Sequence, residues 1–335
     1  MYNCISDISQ ISSEKWLAAI KNDQFTTPFQ SPEFFSFFNS IPLQSAKVFA
    51  IEKENNLKAL CIVTIQKEKG IKGYFSRRAI IYGGPVLIDN DIDALKELLK
   101  LISDKLKHDV IYIETRNFND YSFFHSAFSD QKWNFVPYLN FQVDLQNKTL
   151  EELLGKMKYN RKREIRISFE EGAKIDTATS VTEVKELYKI LKNLYDTRVK
   201  LPLPELNYFE KLFQSTIGKV FLVKHNQNII GGSFCFYYPG KAIYTLYYCG
   251  VRDYHKKIFP THLAIVGAME FGIKNNLKLL DLMGAGQPGQ EYGVRNYKAE
   301  FGGAMVEHGR FIKICNPALY KLGKFGLSIL KKIKK

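Results

Sequence analysis

Two passages of the chain repeat one order of elements at one spacing. The step from Gly83 to Glu114 equals the step from Gly250 to Asp281. In the first passage, residues 46–52 and 57–66 read as a strand pair around the turn "KENN", and "AIIYG" at 79–83 as a third strand. A helix over 91–107 follows, with Leu95, Leu98, Leu99, Ile102 and Leu106 on one face. "DVIYIETR" at 109–116 closes the unit. The second passage runs in the same order. It has a strand pair around "NQN", a strand at 242–250, a helix at 260–276 with Pro260 near its start, and the closing strand "LKLLDLMG". Each closing strand carries an acid at the equivalent place, Glu114 and Asp281. Agreement in order, spacing and acid favours duplication of one α/β unit over coincidence. At about 150 residues per domain, a 335-residue chain has room for both copies.

The stretch between the copies predicts a helix from Thr149 to Gly172. Thr149 with Glu152 forms a capping box, and Gly172 stands where a C′ glycine ends a helix. A second helix spans Glu183 to Tyr195. The junction falls near Asn147 and Lys148, giving domains 1–147 and 148–316.

Charge narrows the partners. The net charge is +14, concentrated in two places. Residues 156–166 hold six basic side chains against one Glu, and 321–335 hold six lysines and no acid. Such clusters suit nucleic acid, a phosphorylated substrate or a lipid surface. Lysine-rich coding is the competing explanation for the total charge, less so for the clusters. The five cysteines, Cys4, Cys61, Cys235, Cys249 and Cys315, are scattered without a CxxC pair. That argues against a disulfide framework and a zinc site, and for a reducing, cytoplasmic compartment. The N-terminus has no signal-peptide pattern, and no run of eighteen apolar residues occurs.

The second closing strand runs into "DLMGAGQPGQEYGVRNYKAEFGG", residues 281–303, with six glycines. That density reads as a mobile loop at a strand end, where chemistry is often placed. Its charged residues include Asp281, Glu291, Arg295, Lys298 and Glu300. Asp281 is a candidate base, or a carboxylate that caps backbone N–H groups.

A strand-pair, strand, helix, strand unit is the pattern of acyl-CoA N-acyltransferases, the GNAT fold. In doubled form the chain resembles the Fem family of peptidoglycan bridge-forming aminoacyltransferases. The resemblance is carried by "FTTPFQSPEFFSFF" at 25–38, "YGGPVL" at 82–87, "YNRKREIRISFEEG" at 159–172, "LDLMGAG" at 280–286 and "NYKAEFGG" at 296–303. It implies an α/β fold of two tandem GNAT-like domains with mixed central sheets flanked by helices. No heptad run is present, so the chain is similar to members without a coiled-coil arm. The implied activity is transfer of an amino acid from aminoacyl-tRNA to an amine of a peptidoglycan precursor, UDP- or lipid-linked, with no metal and no soluble cofactor. Lys298, in "NYKAEFGG", matches the family's functional lysine; a solvated loop lysine is the alternative. Tyr297, Gly302 and Gly303 belong to the same motif. Tyr195, Arg198 and Tyr208 lie where the family binds its nucleotide-linked acceptor. Arg161, Arg163 and Arg166 are candidates for phosphate of acceptor or tRNA, although they occupy more than one helical face. The resemblance also implies that a C-terminal helix, 317–335, packs on the first domain; docking of this basic helix on anionic lipid is the alternative.

Acetyl-CoA is not expected as the donor. In single-domain acyltransferases a Gly-rich turn before the main helix cradles the pyrophosphate on backbone N–H groups. Here "VRDYHKKIFPTHL" has no glycine, and "GGPVLIDNDIDA" would set three aspartates against the phosphates. Two alternatives to the Fem-type activity stay open: another GNAT-like N-acyltransferase acting on a cell-envelope amine, and a non-catalytic protein that binds RNA or anionic lipid.

Overall fold

The computed structural model describes residues 1–21, 23–68, 70 and 72–324. It divides into two compact units, Met1–Pro137 with His308–Lys335, and Tyr138–Glu307. The strands before residue 138 are β1 (Asn3–Ile5), β2 (Ser45–Lys53), β3 (Asn56–Gln66), β4 (Arg78–Gly83), β5 (Val86–Leu87), β6 (Tyr112–Asn117) and β7 (Asn134–Val136). Those after it are β8 (Asn140–Asp144), β9 (Lys174–Thr177), β10 (Gly218–His225), β11 (Asn228–Tyr238), β12 (Ala242–Gly250), β13 (Leu279–Gly284), β14 (Ala304–Val306) and β15 (Arg310–Ile314).

The two sheets have the same plan. The first runs β1-β2-β3-β4-β6-β15-β7, with β5 on β3; the second runs β14-β8-β13-β12-β11-β10-β9. Each contains an antiparallel hairpin, β2/β3 or β10/β11, followed by a third strand. Each then has one parallel pair, β4 with β6 and β12 with β13. The crossover between parallel strands is a 15-residue helix in both, Ile92–Leu106 and Pro260–Lys274. Glu114 lies beside Ile80 and Asp281 beside Tyr244, each acid the third residue of its strand. A parallel pair needs such a crossover. The spacing shared by the two passages is the length of that helix with its two loops.

The chain passes between the units twice. Strand β8 enters the second sheet between β13 and β14, and β15 returns to the first between β6 and β7. The sequence reading placed the junction near residue 147, whereas the units divide at 137/138. Alternation within "LNFQVDL" announces a strand but not its partner. That partner is β13, with Gln142 opposite Asp281. Residues 310–314, assigned from sequence to the second domain, likewise pair in the first sheet.

The cores follow from the apolar faces. In the first unit Leu95, Leu98, Leu99 and Ile102 of the crossover helix pack on Ile51, Ile81 and Ile113. In the second, Leu263, Ile265, Val266 and Met269 pack with Val143, Phe221, Ile243 and Leu280. The helix expected from Thr149 to Gly172 is two helices, Leu150–Lys156 and Tyr159–Glu170. Met157 between them is extended, at ψ 158°. The N–H of Lys158 donates to Glu300 O at 3.1 Å rather than to its own helix. The capping box at Thr149 is present, with Thr149 N donating to Glu152 Oε2 at 2.7 Å. Gly172, at φ +89°, closes the second helix, with its own N–H on Phe169 O and that of Ala173 on Ser168 O. Of the C-terminal helix expected over 317–335, residues 317–324 are helical and 325–335 lie outside the described residues. Its Tyr320 ring packs edge-on against Tyr112 of the first unit. Among the described residues no helix is long and apolar enough to cross a membrane.

The motif "FTTPFQSP" closes a gap in the first sheet. Strand β3 pairs with β4 at Thr64–Gln66 and with β5 at Ala59–Leu60, leaving Ile62 and Tyr82 unpaired with each other. The side chain of Gln30, fully buried, bridges them. Its Oε1 accepts from Ile62 N at 2.8 Å, and its Nε2 donates to Tyr82 O at 2.6 Å.

Candidate active site

Strands β12 and β13 part company. They pair only at Ala242–Tyr244 with Leu279–Asp281, although β12 runs on to Gly250. A bulge in β12 leaves Leu246 without an opposite residue in β11. Beyond the parting, Leu246, Tyr247 and Tyr248 become partly exposed in a strand that is buried up to Thr245. Strand β13 has its own irregularity: its register on β8 shifts between Asp281 and Gly284, and Met283 takes φ +63°. A non-glycine residue in this left-handed region is strained, and such strain collects at functional sites.

Asp281 lies where this irregularity begins and is fully buried. Its Oδ1 accepts from Met283 N at 2.6 Å. Its Oδ2 accepts from Gln142 Nε2 at 3.0 Å and Asn140 Nδ2 at 3.5 Å. Burial raises its pKa, against the pull of these donors and of the Lys298 charge. Much of Asp281's hydrogen-bonding capacity therefore goes to holding the bend of β13.

Lys298 is not on the flexible loop that its glycine-rich surroundings suggest. It sits on the helix Gly293–Ala299 and is only 4% exposed. Its Nζ donates to Gly284 O at 2.8 Å and Met283 O at 3.3 Å, the carbonyls released where β13 bends. Burial draws its pKa down to about 8, against the opposing effect of the Asp281 carboxylate. The ammonium is held in a low-dielectric pocket by two backbone carbonyls.

The remaining candidates divide into three groups. Arg161, Tyr297, Gly302 and Gly303 lie around the segment that carries Lys298. Arg161 is buried and donates to Glu300 Oε2 at 2.5 Å, with its guanidinium over the Tyr297 ring at 4.6 Å. It is not presented to a phosphate. Gly302, at φ +77°, has no room for a Cβ, which would lie 2.7 Å from Lys156 O. A Cβ on Gly303 would lie 2.4 Å from Gln142 O. These glycines let the motif's backbone pack against the helix Leu150–Lys156 and β8. They also line a groove of about 430 Å³ with Gln142, Asp144, Leu153 and Lys156.

The second group lies beside the parted strands. Tyr195 and Tyr208 place their rings 6.1 and 6.5 Å from that of Tyr247. Burial pushes the Tyr195 hydroxyl up to about 12, so it stays a donor at neutral pH. The third group does not converge on this site. Arg163, Arg198 and Glu291 are exposed. Arg166 is ion-paired with Glu151 on the surface. Arg295 spends its guanidinium on carbonyls of its own loop, Ala285 O at 2.8 Å, Gln290 O at 3.0 Å and Gln287 O.

Sequence reasoning missed Asn140, Gln142 and His262 and gave Glu300 no role. The first two had a signal: Asn140, Gln142 and Asp144 alternate in an otherwise apolar strand and mark one polar face. His262 had none, because a lone histidine at a helix start carries no partner with it. Among the described residues no group of three or more His, Cys, Asp and Glu could hold a metal ion.

The connection from β12 to the helix Pro260–Lys274 is poorly built for pyrophosphate. Pro260 at its first turn has no N–H, and the N–H groups of His262 and Leu263 both donate to Phe259 O. Phe259 N donates to Ser168 Oγ at 2.9 Å. Titration with acetyl-CoA by calorimetry should give no micromolar binding; a tight isotherm would overturn this reading of the loop.

Two mixed sheets with this order, the parted parallel strands and the bulge define a tandem GNAT-type acyltransferase fold, and it is Fem-like. It matches the crystal structure of FemX with a TM-score of 0.74 at 13% identity, over 96% of this chain and 99% of that one. A tandem GNAT protein from the clavulanic acid biosynthesis pathway matches with a TM-score of 0.58 at 9% identity, over 95% and 99%. L-PGS from Bacillus licheniformis matches with a TM-score of 0.57 at 12% identity, over 93% and 96%. No family model and no curated protein matches the sequence.

Proposed function

We propose that the chain is a cytoplasmic aminoacyltransferase of the Fem type, moving an amino acid from aminoacyl-tRNA to an amine of a peptidoglycan precursor. The observation that carries this reading is the buried Lys298, aimed at the bend of β13 beside Asp281, at the point where β12 and β13 separate. The acceptor amine attacks the ester carbonyl of the aminoacyl-tRNA. The Lys298 ammonium stabilises the oxyanion that forms. Collapse breaks the ester bond, and the proton lost by the amine goes to the departing ribose oxygen. Asp281 keeps the lysine charged near neutral pH and holds the bend that presents it.

A second reading keeps acyl transfer and changes the acceptor to another cell-envelope amine. The likeness to L-PGS and to a protein of a clavulanic acid pathway supports it, since the same tandem fold is used there. Mass spectrometry of envelope precursors with and without the gene separates the two. Loss of an amino-acid branch on the peptidoglycan precursor supports the first reading, and an unchanged precursor with an altered lipid or small molecule supports the second. Binding of RNA or lipid with no product in either pool would sink both.

A further inference from the structure

The polar cluster behind Lys298 is larger than the transfer chemistry needs. The guanidinium of Arg161, from the helix Tyr159–Glu170, lies among residues on both sides of Lys298 in sequence. It donates to Glu300 Oε2 and lies over the rings of Tyr297 and Phe301 at 4.6 and 4.9 Å. Its Nη1 also meets His262 Nε2, and the other ring nitrogen of His262 is 3.0 Å from the Tyr297 hydroxyl. Arginine has no acceptor, so that contact has His262 Nε2 accepting, while the same nitrogen lies 3.1 Å from Glu164 Oε2, which joins Glu164 to the cluster. Burial and the Arg161 charge draw the His262 pKa down to about 3, which keeps the ring neutral. Backbone contacts continue the grip, with Lys158 N on Glu300 O and Gly302 against Lys156 O.

We propose that Arg161 is a positioning residue for Lys298: by holding Tyr297, Glu300 and Phe301 at once, it fixes the short helix that aims the lysine at the bend of β13. A seven-residue helix is too short to be stable alone. The lysine therefore has a defined direction only because its neighbours are anchored. The buried charge of Arg161 is matched by Glu300 at 2.5 Å and by Glu164 at 3.8 Å. Removing the guanidinium strands those carboxylates and frees the helix to admit water.

The functional meaning rests on the reading of Lys298 as the charge-stabilising group, but the anchoring can be tested without any substrate. Lys298 is titrated by competitive labelling with acetic anhydride, read by peptide mass spectrometry, in the full-length protein. The parent should show a midpoint near 8. Arg161→Met and Glu300→Gln should raise it toward the ordinary lysine value of about 10.4, because water relieves the burial. Arg161→Lys should fall between. In single-turnover assays the same variants should lose at least about tenfold in rate with KM nearly unchanged. Midpoints that stay near 8 in folded Arg161→Lys and Glu300→Gln proteins would overturn the proposal, even if Arg161→Met fails to fold. A midpoint that rises while no transfer can be measured with any acceptor supports the anchoring and counts against the functional reading of Lys298 instead.

Discussion

Replacing Lys298 by methionine should lower single-turnover transfer by about 10²–10³-fold while substrate affinity changes little. That is the usual loss when one donor to a developing oxyanion is removed. Binding is spared because the interaction strengthens only in the transition state. Lys298→Arg should rescue in part, since a planar guanidinium cannot place its charge at the same point. The pH dependence separates two roles for the same side chain. With a folded pKa of about 8, a lysine acting as a cation loses its effect above pH 8, so transfer should fall there; a lysine acting as a base would make it rise. Stability runs the other way. The unfolded lysine titrates near 10.4, so between about pH 8 and 10.4 the unfolded chain binds more protons and folding becomes more favourable as pH rises. Urea melts of the parent should show this rise, and Lys298→Met should lack it. Near-normal transfer in a folded Lys298→Met protein would remove the lysine from the mechanism.

The same residue shows which parts of the molecule were readable beforehand. The local signals were sound: an apolar face marked the first crossover helix, Pro260 the start of the second, Thr149 gave its capping box, and Gly172 its helix end. Strand existence was legible from alternation, and the repeat from a shared spacing. What alternation cannot state is which strand lies alongside. The placement of β8 beside β13 and of β15 beside β6 is set by contacts between distant parts of the chain, Gln142 with Asp281 and Thr115 with Phe311, and the junction was misplaced accordingly. Glycine density misled for a related reason. Gly302 and Gly303 are there because backbones approach closely, not because the segment is loose, so Lys298 ends buried on a helix rather than solvated on a loop. Arg161 was read as a phosphate ligand from its basic neighbours. Its true partner, Glu300, is remote in sequence, and only the fold brings the two together.

Gln30→Leu should be among the most damaging single changes to stability, although Gln30 is far in sequence from the lysine motif. The side chain is neither a ligand nor a surface residue; it replaces a missing rung of the sheet. Ile62 N and Tyr82 O face a place where β3 has turned from β4 to β5, and Gln30 satisfies both. Its own backbone carbonyl accepts from Trp16 Nε1 at 2.9 Å, so the side chain is held before it reaches the strands. Leucine is one bond shorter and has neither donor nor acceptor. Each buried backbone group left unsatisfied costs about 1–3 kcal/mol, so the pair costs about 2–6 kcal/mol. Against a typical total of about 5–15 kcal/mol this can unfold the first unit outright. Gln30→Glu should be less harmful at low pH, below its own pKa, because a protonated carboxyl keeps one donor and one acceptor, and worse as pH rises and the buried charge appears. Denaturant titration with fluorescence of Trp16 and Trp133, both buried in the first unit, reads the effect directly. A Gln30→Leu protein whose stability stays within the roughly 0.5 kcal/mol typical of a neutral surface change would mean that water or a strand shift fills the gap, and that the motif has another reason to exist.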